Sequence, residues 1–281
     1  MRFHSPGIPQ SIEKSPTLIR GLELLKQINL DGMELEFVRN IFVKREQAEK
    51  IKNLCEKLEL TLTVHAPYFI NLATTDKKKL EDSINRIVHS AEIGYLCNAK
   101  SCCFHSAYYG KLTKDETFNK VFNAMKRIED LLEEKKVIIN IAPETMGKTS
   151  QFGSFEELLV LCSKLEEEKN YDKLTFYPCV DFSHIYARDQ KTNGYEKFRK
   201  IFEKYEEIFG KKGIQNMHIH LQGIEFSNKG EKNHLTLDES DIKYKDVLKL
   251  IKEFNANGYL VCESPNIEID TLRLKEEYMK I

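Results

Sequence analysis

The chain has 281 residues with a net charge of −1; 41% of its residues are hydrophobic and 31% are charged. This length and composition fit one large α/β core, and the balanced charge argues against a globally basic nucleic-acid-binding protein. Metals bound in a cleft would nevertheless add positive charge that the net charge calculated from the residues does not include. No apolar run approaches the roughly 18 residues of a membrane span, so we expect no membrane partner.

The seven cysteines are odd in number, include no C-x-x-C pair and fall mostly in apolar stretches. We predict that they are reduced core residues, as in an intracellular protein. The amino-terminal sequence MRFHSPGIPQ has no charged-then-apolar signal region. We therefore predict a cytoplasmic protein, and we expect it to be a monomer.

Short apolar or β-branched segments predict eight strands. They are the initial MRFH and segments near 33–38, 61–65, 100–105, 137–143, 174–181, 214–221 and 258–263. Charged stretches with apolar residues at three- and four-residue spacing predict helices over 44–58, 78–98, 114–135, 154–169, 195–209 and 243–255. This alternation favours an α/β fold, a single (β/α)8 TIM barrel domain over residues 1–281. An open doubly wound sheet would require a glycine-rich first turn, which SPGIPQ does not supply.

Candidate metal ligands recur near the downstream ends of these strands at intervals of 37 to 45 residues. They are His65, His105, Glu144, Asp181, His218 and Glu263. In a closed parallel barrel the carboxyl ends of the strands meet at one face, where such barrels carry out chemistry. Histidines and carboxylates that converge there indicate a cluster of divalent metals.

Two of these positions have a structural alternative. Asp181 could cap the following helix and leave His184, three residues later, on the surface. Glu144 follows Pro143 at a buried strand end and could form an internal ion pair. Because no unique Arg or Lys lies in the neighbouring strands, a metal is the simpler partner for Glu144.

Several segments also carry a family resemblance. They are HAPYFINLA at 65–73, FHS at 104–106, PETMG at 143–147, DFSH at 181–184, MHIHL at 217–221 and CESP at 262–265. Over roughly residues 30 to 268 they resemble, in order, the motifs of the endonuclease IV family. These are zinc-dependent apurinic/apyrimidinic endonucleases within the xylose-isomerase-like TIM barrels. The H-x-P-Y-x-I-N-L-A and D-x-x-H segments are the most specific.

The resemblance implies a ligand set for each zinc. His65 and His105 would hold one zinc, which Glu144 would bridge to a second zinc held by Asp181, His218 and Glu263. The family's third zinc would lie on His184 and His234. Other divalent metals could take the same ligands. Glu144 or Glu263 would orient or deprotonate the attacking water.

The resemblance also implies a substrate, double-stranded DNA that contains an abasic site. The family cuts the phosphodiester 5′ to that site, leaves a 3′-hydroxyl and turns the damaged nucleotide out of the duplex. Tyr68 and Phe69 match positions that wedge into the DNA stack, and loop packing over the barrel is their structural alternative. Arg39 is a further candidate phosphate contact.

The chain departs from the family at two motifs. Lys232 occupies the position of an expected aspartate two residues before His234, which leaves the third zinc open. Glu231 could replace the aspartate, water could complete the coordination, or Lys232 could itself contact phosphate. His220-Leu221 stands where the family has Asn-Asp after its metal histidine.

Two other functions remain open from the sequence. A sugar isomerase or epimerase on the same barrel would use Glu144 and Glu263 to exchange a proton and would need only one metal. The number of candidate histidine ligands exceeds that requirement. A nucleic-acid-binding protein without catalysis would bind abasic DNA and not cut it.

Overall fold

The computed structural model describes residues 1–12 and 14–281. In chain order the elements are β1 (Arg2–Pro6), α1 (Leu18–Gln27), β2 (Gly32–Glu36), α2 (Arg45–Leu58), β3 (Thr61–His65), α3 (Lys77–Leu96), β4 (Ser101–Phe104), β5 (Ala107–Tyr108), α4 (Lys114–Glu134), β6 (Asn140–Pro143), β7 (Gln151–Phe152), α5 (Phe155–Glu168), β8 (Cys179–Asp181), α6 (Phe182–Asp189), α7 (Tyr195–Ile214), β9 (Met217–His220), β10 (Gly223–Ser227), β11 (Gly230–Leu235), α8 (Tyr244–Glu253), β12 (Gly258–Val261) and α9 (Glu268–Lys280).

Eight parallel strands form the barrel wall in the order β6-β4-β3-β2-β1-β12-β9-β8. The ring closes between β6 and β8 through two isolated parallel bridges, Asn140 with Thr175 and Glu144 with Cys179. The Asn140 side chain reinforces this junction, because its amide donates to Tyr177 O at 3.0 Å and accepts from Tyr177 N at 2.8 Å. The predicted α/β fold, a (β/α)8 TIM barrel, is confirmed.

The helices follow the predicted apolar spacing and begin at ordinary caps. Asp76 accepts hydrogen bonds from the first turn of α3, and Thr113 with Glu116 forms a capping box on α4. Helix α7 is interrupted at Gly210, whose φ of +61° ends a regular helix near the predicted limit at 209. Helices α1 and α9 lie outside the six helical ranges given from the sequence, and α6 is the helix that Asp181 was considered to cap.

The residues after β9 include a pair of strands that the sequence did not predict. They form an antiparallel hairpin, β10 with β11, that turns through Gly230 at a φ of +92°. A second short antiparallel pair, β5 with β7, joins the loops after β4 and β6. Both pairs lie in segments that follow barrel strands, so they build the rim of the carboxyl-terminal face.

The seven cysteines are buried and unpaired, as the sequence predicts. Leu, Ile, Val and Phe side chains fill the space between the strands and the helices, and α8, for example, buries Val247, Leu248, Leu250 and Ile251. Among the described residues, no helix has both the length and the apolar character that a membrane span needs.

Candidate metal centre

Glu144 lies at the middle of a group of histidines and carboxylates at the carboxyl-terminal mouth of the barrel. Its backbone N–H donates to Phe104 O at 3.0 Å, and the next N–H, of Thr145, donates to Cys179 O at 3.0 Å. The residue is therefore fixed between β4 and β8. Its side chain is fully buried.

Each carboxylate oxygen of Glu144 faces a different pair of imidazoles. Oε2 lies 3.2 Å from His65 Nε2 and 3.1 Å from His105 Nε2. Oε1 lies 3.2 Å from His184 Nδ1 and 3.2 Å from His220 Nδ1. This arrangement suits a carboxylate that bridges two cations, one on each side.

Strand β9 contributes His220 to this group, whereas His218 was the predicted ligand on this strand. The register pairs His220 with Asp181 and His218 with Cys179, so both rings point inward but His218 lies one layer deeper. His218 Nε2 lies 3.0 Å from Glu34 Oε2 and not beside Glu144. We therefore replace His218 by His220 in the candidate ligand set.

Asp181 and Glu263 complete a second group with Glu144 and His220, whose candidate ligand atoms lie within 4.8 Å of one another. Asp181 caps α6 through Oδ1, which accepts from His184 N at 2.7 Å, while Oδ2 accepts from Gln222 Nε2 at 2.8 Å. Asp181 therefore caps α6 and also belongs to the candidate metal cluster, although the sequence offered these as alternatives. Glu263 Oε2 lies 3.3 Å from His220 Nδ1.

His184, Glu231 and His234 form a third group. His184 Nε2 lies 3.3 Å from His234 Nε2 and 3.4 Å from Glu231 Oε2. A register shift in the hairpin leaves Lys232 without a backbone partner on β10, and its side chain forms an ion pair with Glu225 of that strand. Of the three possibilities at this motif, the geometry therefore favours Glu231.

Two glycines allow the hairpin to approach this third group closely. Gly230 bridges Lys148, and a Cβ at Gly230 would lie 2.1 Å from Gly147 O. A Cβ at Gly147 would in turn lie 2.6 Å from the Cβ of Glu231. Side chains at either position would push Glu231 away from His184.

Three of the histidines are oriented by backbone carbonyls. The Nδ1–H groups of His65, His184 and His234 donate to Ala66 O at 2.8 Å, Thr145 O at 3.0 Å and Glu263 O at 3.1 Å. A carbonyl can only accept, so in the neutral ring each Nε2 keeps its lone pair and faces the cluster. Metal-ligating histidines are commonly held in this way.

The charges in the cluster are strongly coupled. Burial would raise the pKa of Glu144, but His220, His105 and His184 hold that pKa well below its usual range. Burial would lower the pKa of His65, but Glu144 and Glu36 raise it well above its usual range. Without metal these directions favour an ionised Glu144 beside a protonated His65.

The residues present fit a divalent cation. Within the described part of the chain, the buried atoms Glu144 Oε1 and His220 Nδ1 have no hydrogen-bond partner of good geometry. Imidazole nitrogens and carboxylate oxygens are ligands that zinc accepts, and an uncompensated buried charge is costly. The candidate groups thus have the composition and the unsatisfied atoms expected of metal ligands.

A cleft of about 270 Å³ opens onto the cluster and is lined by Tyr68, His105, Glu231, His234 and Glu263 among others. The Tyr68 ring lies 5.7 Å from the His105 ring, and the neighbouring Phe69 side chain is 63% exposed. Arg39 is exposed in the loop after β2, and Tyr68 N donates to Val38 O in that same loop.

The fold and this site define a parallel α/β barrel with a candidate multi-metal centre at its carboxyl-terminal mouth. Residues 22–280 match the family described as the xylose isomerase-like TIM barrel. The chain belongs to this family. It is 41% identical over 280 residues to the uncharacterized protein MJ0133 of Methanocaldococcus jannaschii, with 99% of this chain and 97% of the relative covered.

The chain is also 26% identical over 211 residues to a probable endonuclease 4 of Mycoplasmopsis synoviae, with 74% of this chain and 70% of that protein covered. Among solved structures it resembles a D-tagatose 3-epimerase-like protein, with a TM-score of 0.73, 20% identity and coverage of 98% and 97% of the two chains. It also resembles endonuclease IV of Thermus thermophilus, with a TM-score of 0.69, 15% identity and coverage of 100% and 99%. At these identities the two structures establish the fold alone.

Proposed function

We propose that this protein is a zinc-dependent endodeoxyribonuclease of DNA repair that hydrolyses the phosphodiester 5′ to an abasic site and leaves a 3′-hydroxyl. The observation that carries the proposal is the position of Glu144, whose two oxygens face separate sets of imidazoles. Three donor groups adjoin one another there, centred on His65, His220 and His184. A sugar epimerase needs one metal, whereas this arrangement supplies ligands for three. The resemblance to endonuclease 4 adds support.

Divalent metals in these groups would polarise the phosphate, lower the pKa of water and stabilise the leaving oxygen. The chain's own residues would position the reactants. Glu263 borders the open cleft, where it can orient a water or accept its proton. The pKa of Glu263 is lowered to about 2 because His220 outweighs the effect of burial, so Glu263 is ionised at neutral pH. Glu144 is deeper, and its role would be to hold the two sides of the centre together.

The rim of the mouth offers a surface for a DNA strand. Tyr68 and Phe69 project from the loop after β3, and Arg86 Nη1 supports that loop by donating to Phe69 O at 3.0 Å. A second cleft of about 510 Å³ shares Tyr68 and Tyr108 with the metal cleft and also includes Lys79 and Arg86. Aromatic rings beside cations suit unstacked bases and phosphates. Turning out a nucleotide is cheapest where its base is missing.

The test combines incision with metal content. A duplex oligonucleotide with one tetrahydrofuran site is incubated with zinc-loaded protein, an undamaged duplex serves as the control, and the metal-to-protein ratio is measured. Cleavage 5′ to the lesion at a ratio near three would support the proposal. One metal, no cleavage and turnover of a ketose would support the epimerase. Tight binding of the abasic duplex without cleavage would support a non-catalytic DNA-binding protein.

We also propose that residues 1–281 form one domain and that the protein is a cytoplasmic monomer. All eight barrel strands belong to one sheet, and the seven unpaired cysteines suit a reducing compartment. Light scattering coupled to size-exclusion chromatography would test the monomer: a mass near 32.8 kDa is expected.

A further inference from the structure

His220 differs from the other histidines of the centre in what holds its ring. Its Nδ1 faces Glu144 and Glu263, at 3.2 Å and 3.3 Å. Its Nε2 faces Glu34 Oε1 at 2.9 Å. Whereas His65, His184 and His234 donate to backbone carbonyls, His220 has the Glu34 carboxylate on its far side. Among the described residues, His220 Nε2 and Glu34 Oε1 are buried atoms without a hydrogen-bond partner of good geometry, so they lie in contact but are not aligned.

Glu34 is itself fixed from below. Its Oε2 lies 3.0 Å from His218 Nε2, and His218 Nδ1 lies 3.0 Å from Ser101 Oγ. Ser101 Oγ also accepts from Asn140 Nδ2 at 3.1 Å, so the series ends at the residue that closes the barrel. All five side chains of this polar series are buried.

A carboxylate between two imidazoles in the barrel interior requires an explanation. Removing a charge from water is costly unless hydrogen bonds and opposite charges compensate. A well-packed apolar side chain would fill the same space without that cost. The series from Ser101 through His218 and Glu34 meets the metal cluster at the His220 ring.

We propose that Glu34 is a positioning residue for the metal centre: when a metal occupies the site, Glu34 accepts the Nε2–H of His220 and thereby presents Nδ1 as the metal-binding atom. This inference rests on the proposed metal centre. A carboxylate partner fixes the tautomer and the orientation of a ligating imidazole and increases its basicity. His218 contacts the other oxygen of Glu34 and so helps to fix the carboxylate beside His220. This role agrees with the position of His218 one layer below the candidate ligands.

The experiment is a cobalt(II) titration followed by the visible absorption bands, which report the geometry of the bound metal. It compares the wild type with Glu34→Gln, in which the amide nitrogen of Gln can face His220 and disfavour the required tautomer. Mutation of a side chain that hydrogen-bonds a metal-ligating histidine typically lowers metal affinity by about 10- to 100-fold. We expect one of the cobalt sites to weaken by that factor in Glu34→Gln, with altered bands.

The matched control is Glu129→Gln. Glu129 is equally buried, but it accepts from Asn170 N at 2.5 Å and from Tyr171 N at 2.9 Å, in the segment that precedes β8 at the other end of the barrel. This variant is expected to lose stability while keeping the cobalt affinity and bands of the wild type. Equal weakening in both variants would overturn the proposal, because it would show a general effect of disturbing a buried charge.

Two further outcomes separate this inference from the proposed function. If the wild type binds no cobalt, the metal centre itself fails. If the wild type binds cobalt and Glu34→Gln has the same affinity and bands, only the role of Glu34 is refuted. Complete loss of one metal equivalent at saturating cobalt would make Glu34 a ligand and would also refute the positioning role.

A second variant keeps the test decisive should Glu34→Gln fail to fold. His218→Asn retains Glu34 and His220 and removes the imidazole that contacts Glu34 on one side and Ser101 on the other. A weakening of the same cobalt site by a few-fold, smaller than about 10-fold, is expected for it. Unchanged cobalt binding in a folded His218→Asn protein would contradict the supporting role of the series.

Discussion

Glu231 and His234 point to the same side of β11 although three positions separate them. In a regular strand residues three apart face opposite sides. Here the register pairs Glu231 with Phe226 and His234 with Ile224, so the extra residue of β11, Lys232, is accommodated as a β-bulge. The E-K-N-H segment can therefore present a carboxylate and an imidazole on one face of the strand. The endonuclease IV family has an aspartate and a histidine only two residues apart at this motif.

The bulge leads to a prediction about the third donor group. Deleting Lys232 should restore regular pairing and keep Glu231 and His234 together, since the lost Lys232–Glu225 pair lies on the surface and contributes little. Glu231→Gln should instead remove one metal per chain. Atomic absorption on dialysed protein measures both. Loss of metal in the deletion variant, or full metal content in Glu231→Gln, would contradict this account.

A second prediction concerns the carboxylate at the middle of the centre. Glu144→Gln should abolish binding of the two metals that share Glu144 and lower incision by more than about a hundredfold, because a neutral amide cannot bridge two cations. The fold should persist, since both backbone hydrogen bonds of this segment remain. Metal analysis, the incision assay and circular dichroism check the three statements. Undiminished cutting would remove Glu144 from the mechanism.

The fold could be predicted because its signals are local. Apolar strands alternated with amphipathic helices, and each ligand candidate stood near a strand end, so all eight strands were located. At β9 the sequence did not decide which of the two histidines lies nearer the mouth of the barrel. MHIH places two histidines on the same inward face, and only the register with Asp181 shows that His220 reaches the mouth. The available signal was that His220 stands nearer than His218 to the downstream end of the predicted strand 214–221.

The remaining site residues depended on pairing that spacing does not reveal. Glu231 joins His184 only through a bulge and two close glycine contacts. Glu34 lies in MELEF, where an alternating pattern normally predicts a solvent-facing carboxylate. In a closed barrel that face is the interior, so Glu34 meets His218 and His220 there.

A third prediction concerns the DNA surface. Phe69→Ala should weaken binding of the abasic duplex by about tenfold, in line with the roughly 1–3 kcal/mol of one base–aromatic contact. Metal content should stay unchanged, because Phe69 is 63% exposed and is not a candidate ligand. Fluorescence anisotropy measures the affinity. Ile269→Ala, at a 58% exposed position on α9, is the control. Equal affinities for all three proteins would exclude Phe69 from the interface.

A fourth prediction follows from the protonated imidazoles. Burial opposes protonation of His184, but Asp181 and Glu144 raise its pKa well above 6.5, and the pKa of His65 is raised in the same sense. Zinc requires neutral rings, so binding should release protons near neutral pH and tighten as the pH rises. Calorimetry in buffers of different ionisation enthalpy counts the protons. His65→Gln should release about one fewer. Zinc binding without proton release would show that the apo site is already neutral.

The last prediction concerns His4, whose Nε2 lies 2.8 Å from Thr61 Oγ1 and whose Nδ1 lies 3.2 Å from Thr63 Oγ1 in the barrel interior. Burial lowers the pKa of His4 to about 3 from 6.5. The unfolded chain therefore takes up the proton first, and stability is lost as the pH falls from 6.5 towards 3.

By about pH 5 this cost should reach roughly 2 kcal/mol. Urea unfolding of the wild type and of His4→Gln at about pH 7 and about pH 5 isolates the contribution, because the other titrating groups are common to both. The wild type should lose more stability than the variant by about that amount. If both lose the same, His4 is protonated in the folded barrel, with Thr61 and Thr63 accepting its two N–H groups.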